Sequence, residues 1–275
     1  DDHEAVKWMR LAANQGRAQA QFNLGLMYAW GRGVSRDIAE AAKWLRLAAE
    51  QGHVPAQSEI GAMYLAGAGV PLDLSEAAKW LRLAANQGDA QAQAKLGAMY
   101  STGRGVAEDQ TEAARLIRLA ADQGYAEAQF ALASLYFRGQ GVPESKQEAA
   151  RWTRLAAEQG HAGAQSLLGN CYMFGNGVPQ DIQAAVKWTR LSAEQGVAES
   201  QVLLGAMYFE GTGVTKDNRE AAKWMRLAAE QGIAPALAAL GQMYAKGEGV
   251  PMNLSEAYIN YSLAASFDFD GTAKE

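Results

Sequence analysis

The sequence predicts an all-α protein built as a stacked array of helix pairs, and three observations carry that prediction. A unit of 36 residues, clearest from Ala20 to Gly52, returns along the chain without an insertion. Its tryptophan falls at Trp8, Trp44, Trp80, Trp152, Trp188 and Trp224, with Leu116 and Asn260 in the two remaining slots. A leucine or isoleucine followed by glycine returns as Leu24-Gly25, Ile60-Gly61, Leu96-Gly97, Leu168-Gly169, Leu204-Gly205 and Leu240-Gly241, and Leu132-Ala133 departs from it. A unit this small cannot bury its own apolar face, so a fixed period of this length marks units that stack on one another.

Each unit reads as two helices. The first is predicted from Ala18 to about Trp30 and stops at Gly31-Arg32-Gly33, where glycine takes the left-handed conformation that closes a helix. The glycine pair returns from Gly67/Gly69 through Gly247/Gly249. A dinucleotide cradle needs a preceding strand and a third glycine, so these repeated pairs read as turns.

The second helix is predicted to open at Asp37, with Glu40 three residues on. In a capping box the first side chain accepts from a free backbone N–H and the later Glu reaches back to another. The pattern returns at Asp1/Glu4, Asp73/Glu76, Asp109/Glu112, Ser145/Glu148, Asp217/Glu220 and Asn253/Glu256; Asp181/Ala184 lacks the Glu. Capping accounts for these carboxylates without catalysis. Within the helix, Ala41, Trp44, Leu45, Ala48 and Ala49 follow the three-and-four spacing of a buried stripe, and each repeat Trp is expected to bury its ring there. Arg46 recurs as Arg10, Arg82, Arg118, Arg154, Arg190 and Arg226, with an acid or amide four residues later, such as Glu50 or Glu158. This reads as a solvated face of weak helical ion pairs; the alternative is a basic ridge for an acidic partner.

Composition narrows the function. Hydrophobic residues make up 49% of the chain, enough for a core, yet no apolar run approaches the roughly 18 residues that a membrane span needs. With a net charge of -5 and basic residues spread along the array, the footprint of a nucleic-acid binder is missing. The single Cys171 excludes an intramolecular disulfide framework; it fills a slot that is Met in Met27, Met63, Met99, Met207 and Met243, and reads as a small buried hydrophobe. His3, His53 and His161 stand too far apart in the array to share a metal, and the serines lack a Gly-x-Ser-x-Gly elbow. The expectation is no enzyme, no metal and no cofactor.

The pattern Ala-x-x-Leu-Gly-x-Met-Tyr, then Gly-x-Gly-Val, then Asp, Ala-x-x-Trp and Ala-Ala-x-Gln-Gly resembles the Sel1-like repeat, a relative of the tetratricopeptide repeat. The resemblance covers residues 1 to about 266. It implies a right-handed superhelical solenoid of antiparallel helix pairs, with the first helices on the concave face, and a role as adaptor or assembly scaffold. In this family an aromatic often follows the Trp, whereas here Met9, Leu45, Leu81, Ile117, Thr153, Thr189 and Met225 do. A cysteine-rich branch staples each repeat with a disulfide, and a chain with only Cys171 does not belong to it. Members occur in bacterial cytoplasm, periplasm and secretions, so location stays open. Asp1 sits in the slot of Asp37, so the sequence starts at a helix cap in mid-pattern, as expected of a trimmed or processed protein.

The expected organisation is a single repeat domain over residues 1–275. Residues 1–16 form an orphan second helix, 17–268 seven repeats, and 269–275 a tail. At Tyr258, Ile259, Asn260 and Tyr261 the usual Ala-Lys-Trp-Leu is lost, and Phe267 to Glu275 follows no repeat. A capping unit and a truncated one both fit.

The expected function is a non-catalytic, monomeric scaffold that holds a protein or peptide in the groove. The alternative is a binder or hydrolase of peptidoglycan-type glycans. The binding residues are sought on the variable face of the first helix, the slots of Gln19, Phe22, Leu26, Ala29 and Trp30, which share one side. After small or polar residues such as Ser58, Ala62, Ala94, Ala98 and Ser101, these slots hold Phe130, Ser134, Phe137 and Arg138, then Asn170, Met173 and Phe174, then Val202, Phe209 and Glu210. Large apolar residues interleaved with polar ones have the make-up of a partner-binding patch. The other reading is that they fill gaps against the adjacent first helix.

Overall fold

The second helix of a pair begins where its cap stands. In a computed structural model, which describes residues 2–270 and the side chains of residues 3–266, Asp37 accepts a 2.9 Å hydrogen bond from the Glu40 N–H and a helix starts at Ile38. The same cap opens the helices after Asp73, Asp109, Ser145, Asp181 and Asp217. Asp181 caps through the Ala184 N–H at 3.0 Å although no Glu follows. The reciprocal half of the predicted capping box is replaced. The Asp37 N–H already donates to the Tyr28 carbonyl at 3.0 Å, so Glu40 turns forward and accepts from Lys43 Nζ at 2.8 Å and Trp44 Nε1 at 3.1 Å. Asp1, which was expected to cap the first helix, lies outside the described residues.

The described residues form fifteen α-helices and no strand: α1 (Asp2–Asn14), α2 (Ala18–Trp30), α3 (Ile38–Glu50), α4 (Val54–Ala66), α5 (Leu74–Asn86), α6 (Ala90–Thr102), α7 (Gln110–Asp122), α8 (Ala126–Arg138), α9 (Lys146–Glu158), α10 (Ala162–Phe174), α11 (Ile182–Glu194), α12 (Ala198–Glu210), α13 (Asn218–Ala229), α14 (Ala234–Lys246) and α15 (Leu254–Asp270). The even-numbered helices are the first of each pair and the odd-numbered ones the second. The part of the expected tail from residue 271 onward lies outside the described residues.

Contacts divide the chain into two compact units, Asp1–Glu144 and Ser145–Glu275. In the first, Leu45, Ile60, Leu81, Leu96 and the alanines of α3 to α6 form a buried cluster. Gly61 shows how closely the helices of a pair approach: a Cβ there would stand 2.8 Å from Leu81 Cγ. From Gly69 onward, the second glycine of a turn packs its pair onto the preceding one. Gly69 has φ +70 and a Cβ added to it would lie 2.3 Å from the Ile38 carbonyl oxygen, which only glycine avoids. In the second unit, Leu204, Met207 and Trp224 pack with α11, and Met225, Leu240 and Met243 form the next cluster.

Two polar ladders run through the joints. Buried Gln21 donates from Nε2 to the Ala13 carbonyl at 3.2 Å and accepts at Oε1 from Gln51 Nε2 at 2.6 Å. In the second unit Gln201 does the same with the Ala193 carbonyl at 3.2 Å and with Gln231 at 2.9 Å. The second ladder corrects the expected i,i+4 ion pairs. Arg46 donates to the Tyr64 hydroxyl of the next repeat, Arg82 to Tyr100 at 3.0 Å and Arg190 to Tyr208 at 2.8 Å. The helical ion pairs join a Glu to the basic residue three positions on, as in Glu40–Lys43 and Glu112–Arg115.

The Trp slot is less uniform than the sequence suggests. Trp152 is 4% exposed and Trp224 is buried, whereas Trp44, Trp80 and Trp188 are half-buried and Trp8 is 62% exposed. Ring burial depends on what packs beside each second helix, which the slot alone does not encode.

Candidate functional site

The ten residues singled out on the first helices divide between the two units. On α8 of the first unit, Phe130 and Phe137 are half-buried, Ser134 donates to the Phe130 carbonyl at 3.2 Å and so is tied to its own helix, and Arg138 is exposed. In the second unit, Asn170 and Met173 of α10 are half-buried and Phe174, the last residue of α10, is 67% exposed. On α12, Val202 and Phe209 are half-buried against the cluster of Met225, Leu240 and Met243, and Glu210 is exposed. The slot of Phe22, Phe130 and Val202 thus faces the joint with the neighbouring helices more than open solvent.

Phe209 and Glu210 meet at one hollow. It measures about 210 Å³ and is walled by Ala206, Phe209 and Glu210 from α12, Ala221 and Met225 from α13, and Ala239, Gln242 and Met243 from α14. Its cause is a pair of small residues. Ala206 and Ala239 occupy the slots of Leu26 and Asn23 on successive first helices, and neither fills the gap that a longer side chain would close. The floor is two methionine side chains, and Met225 is held there by Gly205, whose added Cβ would stand 3.1 Å from the Met225 methyl. At the rim, Lys216 Nζ lies 5.4 Å from the centre of the Phe209 ring. The Thr212 hydroxyl donates to Glu210 at 3.3 Å. Sequence reasoning found Phe209 and Glu210 and missed the rest of the wall. The available signal was two alanines in facing slots.

In the first unit, a hollow of about 270 Å³ lies on α2, lined by Asn23, Leu26, Met27, Trp30 and Arg32, with Trp30 62% exposed. The second helices carry hollows of their own. Two of about 400 Å³ lie at the same slots, one along α5 from Glu76 to Asn86 and one along α1 from His3 to Asn14. Their recurrence at matching slots makes them a product of the stacking itself.

Among the described residues no group of three or more His, Cys, Asp or Glu side chains is arranged to hold a metal ion. Burial pushes the Cys171 thiol up to about 11, which keeps it protonated and non-nucleophilic at neutral pH. No helix among the described residues is long and apolar enough to cross a membrane.

The Sel1 repeat model matches residues 1–16, 18–53, 54–89, 90–125, 126–161, 162–197, 198–233 and 234–266. The chain belongs to the Sel1 repeat family. Sel1 repeats make a scaffold fold suited to protein–protein interaction, and two solved Sel1-type structures share it closely. A protective antigen present in uropathogenic Escherichia coli strains, displaying an SLR fold, is 36% identical with a TM-score of 0.89, over 95% of this chain and 56% of that one. A Sel1 repeat protein from Oxalobacter formigenes is 38% identical with a TM-score of 0.75, over 96% of this chain and 76% of that one. The chain therefore spans little more than half the length of the Escherichia coli antigen. Yeast Tom70, 14% identical over 98% of this chain and 59% of its own with a TM-score of 0.50, shares the fold alone. No curated protein matches the chain.

Proposed function

We propose that this Sel1 repeat chain is a non-catalytic scaffold that binds a protein or peptide through the variable face of its first helices. The observation that carries the reading is the α12–α14 hollow, where an apolar floor, an aromatic wall and one carboxylate converge on a face that carries the repeat's most variable residues. Phe174, two-thirds exposed at the end of α10, supports it, because a large apolar ring left in solvent marks a contact surface more often than a stabilising one. Burial keeps the Cys171 thiol protonated, and among the described residues no group of His, Cys, Asp or Glu side chains is arranged to hold a metal ion.

The test places a photo-crosslinking amino acid at Phe174 or Gln242, with Leu83 on the second-helix face of α5 as control. A discrete partner is expected from the first two positions and not from Leu83. Binding of that purified partner should fall more than tenfold in Phe174→Ala/Phe209→Ala, with helix content unchanged. Equal crosslinking at Leu83, or a double variant that binds normally, overturns the proposal.

A further inference from the structure

The α12–α14 hollow has room for one side chain and little else. A cavity of about 150 Å³ lined by apolar side chains is enough to admit benzene, and this one measures about 210 Å³. Its floor pairs Met225 with Met243, and thioethers are flexible and polarizable enough to pack against either an aliphatic or an aromatic group. Ala206, Ala221 and Ala239 line it without polar side-chain atoms. Shape and chemistry here select an apolar group and leave its exact form open.

The rim carries one carboxylate, beside the Gln242 amide, and no lining cation. Glu210 lines the hollow, is exposed, and receives only the 3.3 Å bond from Thr212. The neighbouring cations do not line the hollow: Lys216 stacks on the Phe209 ring, and Lys246 ends α14 as an exposed side chain. A ligand that brings positive charge to this edge complements the Glu210 carboxylate, and one that brings a carboxylate is repelled by it.

We infer that the hollow takes one apolar side chain of a peptide segment that carries a lysine or arginine beside it, with the basic group on Glu210. This rests on the binding reading above and adds the chemistry of the ligand.

A random peptide library selected on the full chain tests it, with Ala206→Leu and Glu210→Lys as counter-screens. Ala206→Leu fills the hollow; Ala239→Met does so from the other wall and serves if the first variant melts early by circular dichroism. Recovered peptides are expected to share an apolar–basic pair and to lose more than tenfold in affinity for either filled variant. Glu210→Lys should weaken them roughly fivefold at low salt, the upper range of an exposed ion pair, and should favour the synthetic version with Glu in place of the basic residue. Peptides that depend on Ala206 yet lack a basic residue, or that ignore Glu210→Lys, overturn this inference and leave the binding face standing. Peptides that bind both filled variants undiminished, or a selection that recovers none, overturn both.

Discussion

Arg190 on α11 donates a 2.8 Å hydrogen bond to the hydroxyl of Tyr208 on α12, 18 residues ahead, with its guanidinium 5.8 Å from the ring centre. The contact ties the second helix of one repeat to the first helix of the next. It recurs at Arg10–Tyr28, Arg82–Tyr100 and Arg154–Tyr172. A net hydrogen bond contributes about 0.5–1.5 kcal/mol. Tyr208→Phe keeps the ring and removes only the hydroxyl, so urea unfolding should show a loss in that range. Tyr244→Phe, whose bond from Arg226 is 3.3 Å and exposed, should lose less. Equal effects at both positions would show that the hydroxyl bond is not what differs.

The buried glutamine ladder should be more sensitive. Gln201 satisfies the Ala193 carbonyl and the side chain of Gln231 at once. Gln201→Ala removes both bonds, at about 0.5–1.5 kcal/mol for each hydrogen bond lost, and opens a gap as well. The Ala193 carbonyl still accepts from the Gly196 N–H at 3.0 Å, and Gln231 Nε2 still donates to the Gly196 carbonyl at 3.1 Å. The same slot is Leu237 in the last repeat, where it is buried. Gln201→Leu should therefore lose less than Gln201→Ala in chemical denaturation; the reverse order would mean that the hydrogen bonds outweigh packing.

Tryptophan truncation separates core slots from surface ones. Trp152→Ala should cost roughly 3–5 kcal/mol, the usual range for a buried aromatic, since Trp152 is 4% exposed. Trp8→Ala should stay within about 0.5 kcal/mol, as for most surface changes. The Trp152 indole N–H has no hydrogen-bond partner, so Trp152→Phe should recover much of the loss. Similar melting shifts for Trp8→Ala and Trp152→Ala would remove the distinction.

The caps, turns and packing glycines were legible because each appears in several copies with the same short-range geometry. Asp37 and Gly31 act within one turn of themselves, and spacing along a single helix reveals them. The ladders were visible as residues and invisible as contacts. Gln21, Gln57, Gln93, Gln129, Gln165 and Gln201 share a slot, but Gln51 reaches Gln21 across 30 residues and Arg190 reaches Tyr208 across 18. Such pairs follow from how helices stack, and no helical period points to them. The hollow was harder still, because it is made by missing volume. Ala206 and Ala239 look like ordinary helix formers until the two first helices stand side by side. The half-burial of Phe209 has the same origin, since the variable face of α12 is also the face that meets α14.

The packing glycines should not tolerate even a methyl group equally. A Cβ at Gly97 would stand 2.7 Å from Ile117 Cγ1 and 3.1 Å from the Ala113 carbonyl oxygen. At Gly205 the nearest atoms are the flexible Met225 side chain at 3.1 and 3.2 Å. Alanine gains roughly 1 kcal/mol of helix propensity over glycine, and overpacking costs about 1–3 kcal/mol. Gly97→Ala should lower the melting temperature, while Gly205→Ala should be near neutral because the methionine yields. A stabilised Gly97→Ala would show that the β-branched Ile117 moves aside freely.

His53 gives the array a cap that acid can remove; His161 Nδ1 accepts from the Ala164 N–H at 3.0 Å in the same slot. The His53 Nδ1 accepts from the Ala56 N–H at 3.3 Å, and Nε2 lies 3.2 Å from Gln19 Oε1, with the Phe22 ring centre 4.7 Å away. The bond to Ala56 requires an unprotonated Nδ1, and burial lowers the pKa below its ordinary 6.5. A depressed folded pKa means that the neutral ring stabilises the fold above the unfolded value. That contribution is lost as pH falls through the folded one. Asp89 holds the same slot and caps the Ala92 N–H at 2.7 Å, so a short polar side chain fits there. His53→Asn should keep the cap and remove its titration. Between pH 7.5 and pH 5 the melting temperature of the native protein should fall further than that of His53→Asn, the difference isolating this residue from every other group. Parallel curves for the two proteins would place the acid sensitivity elsewhere.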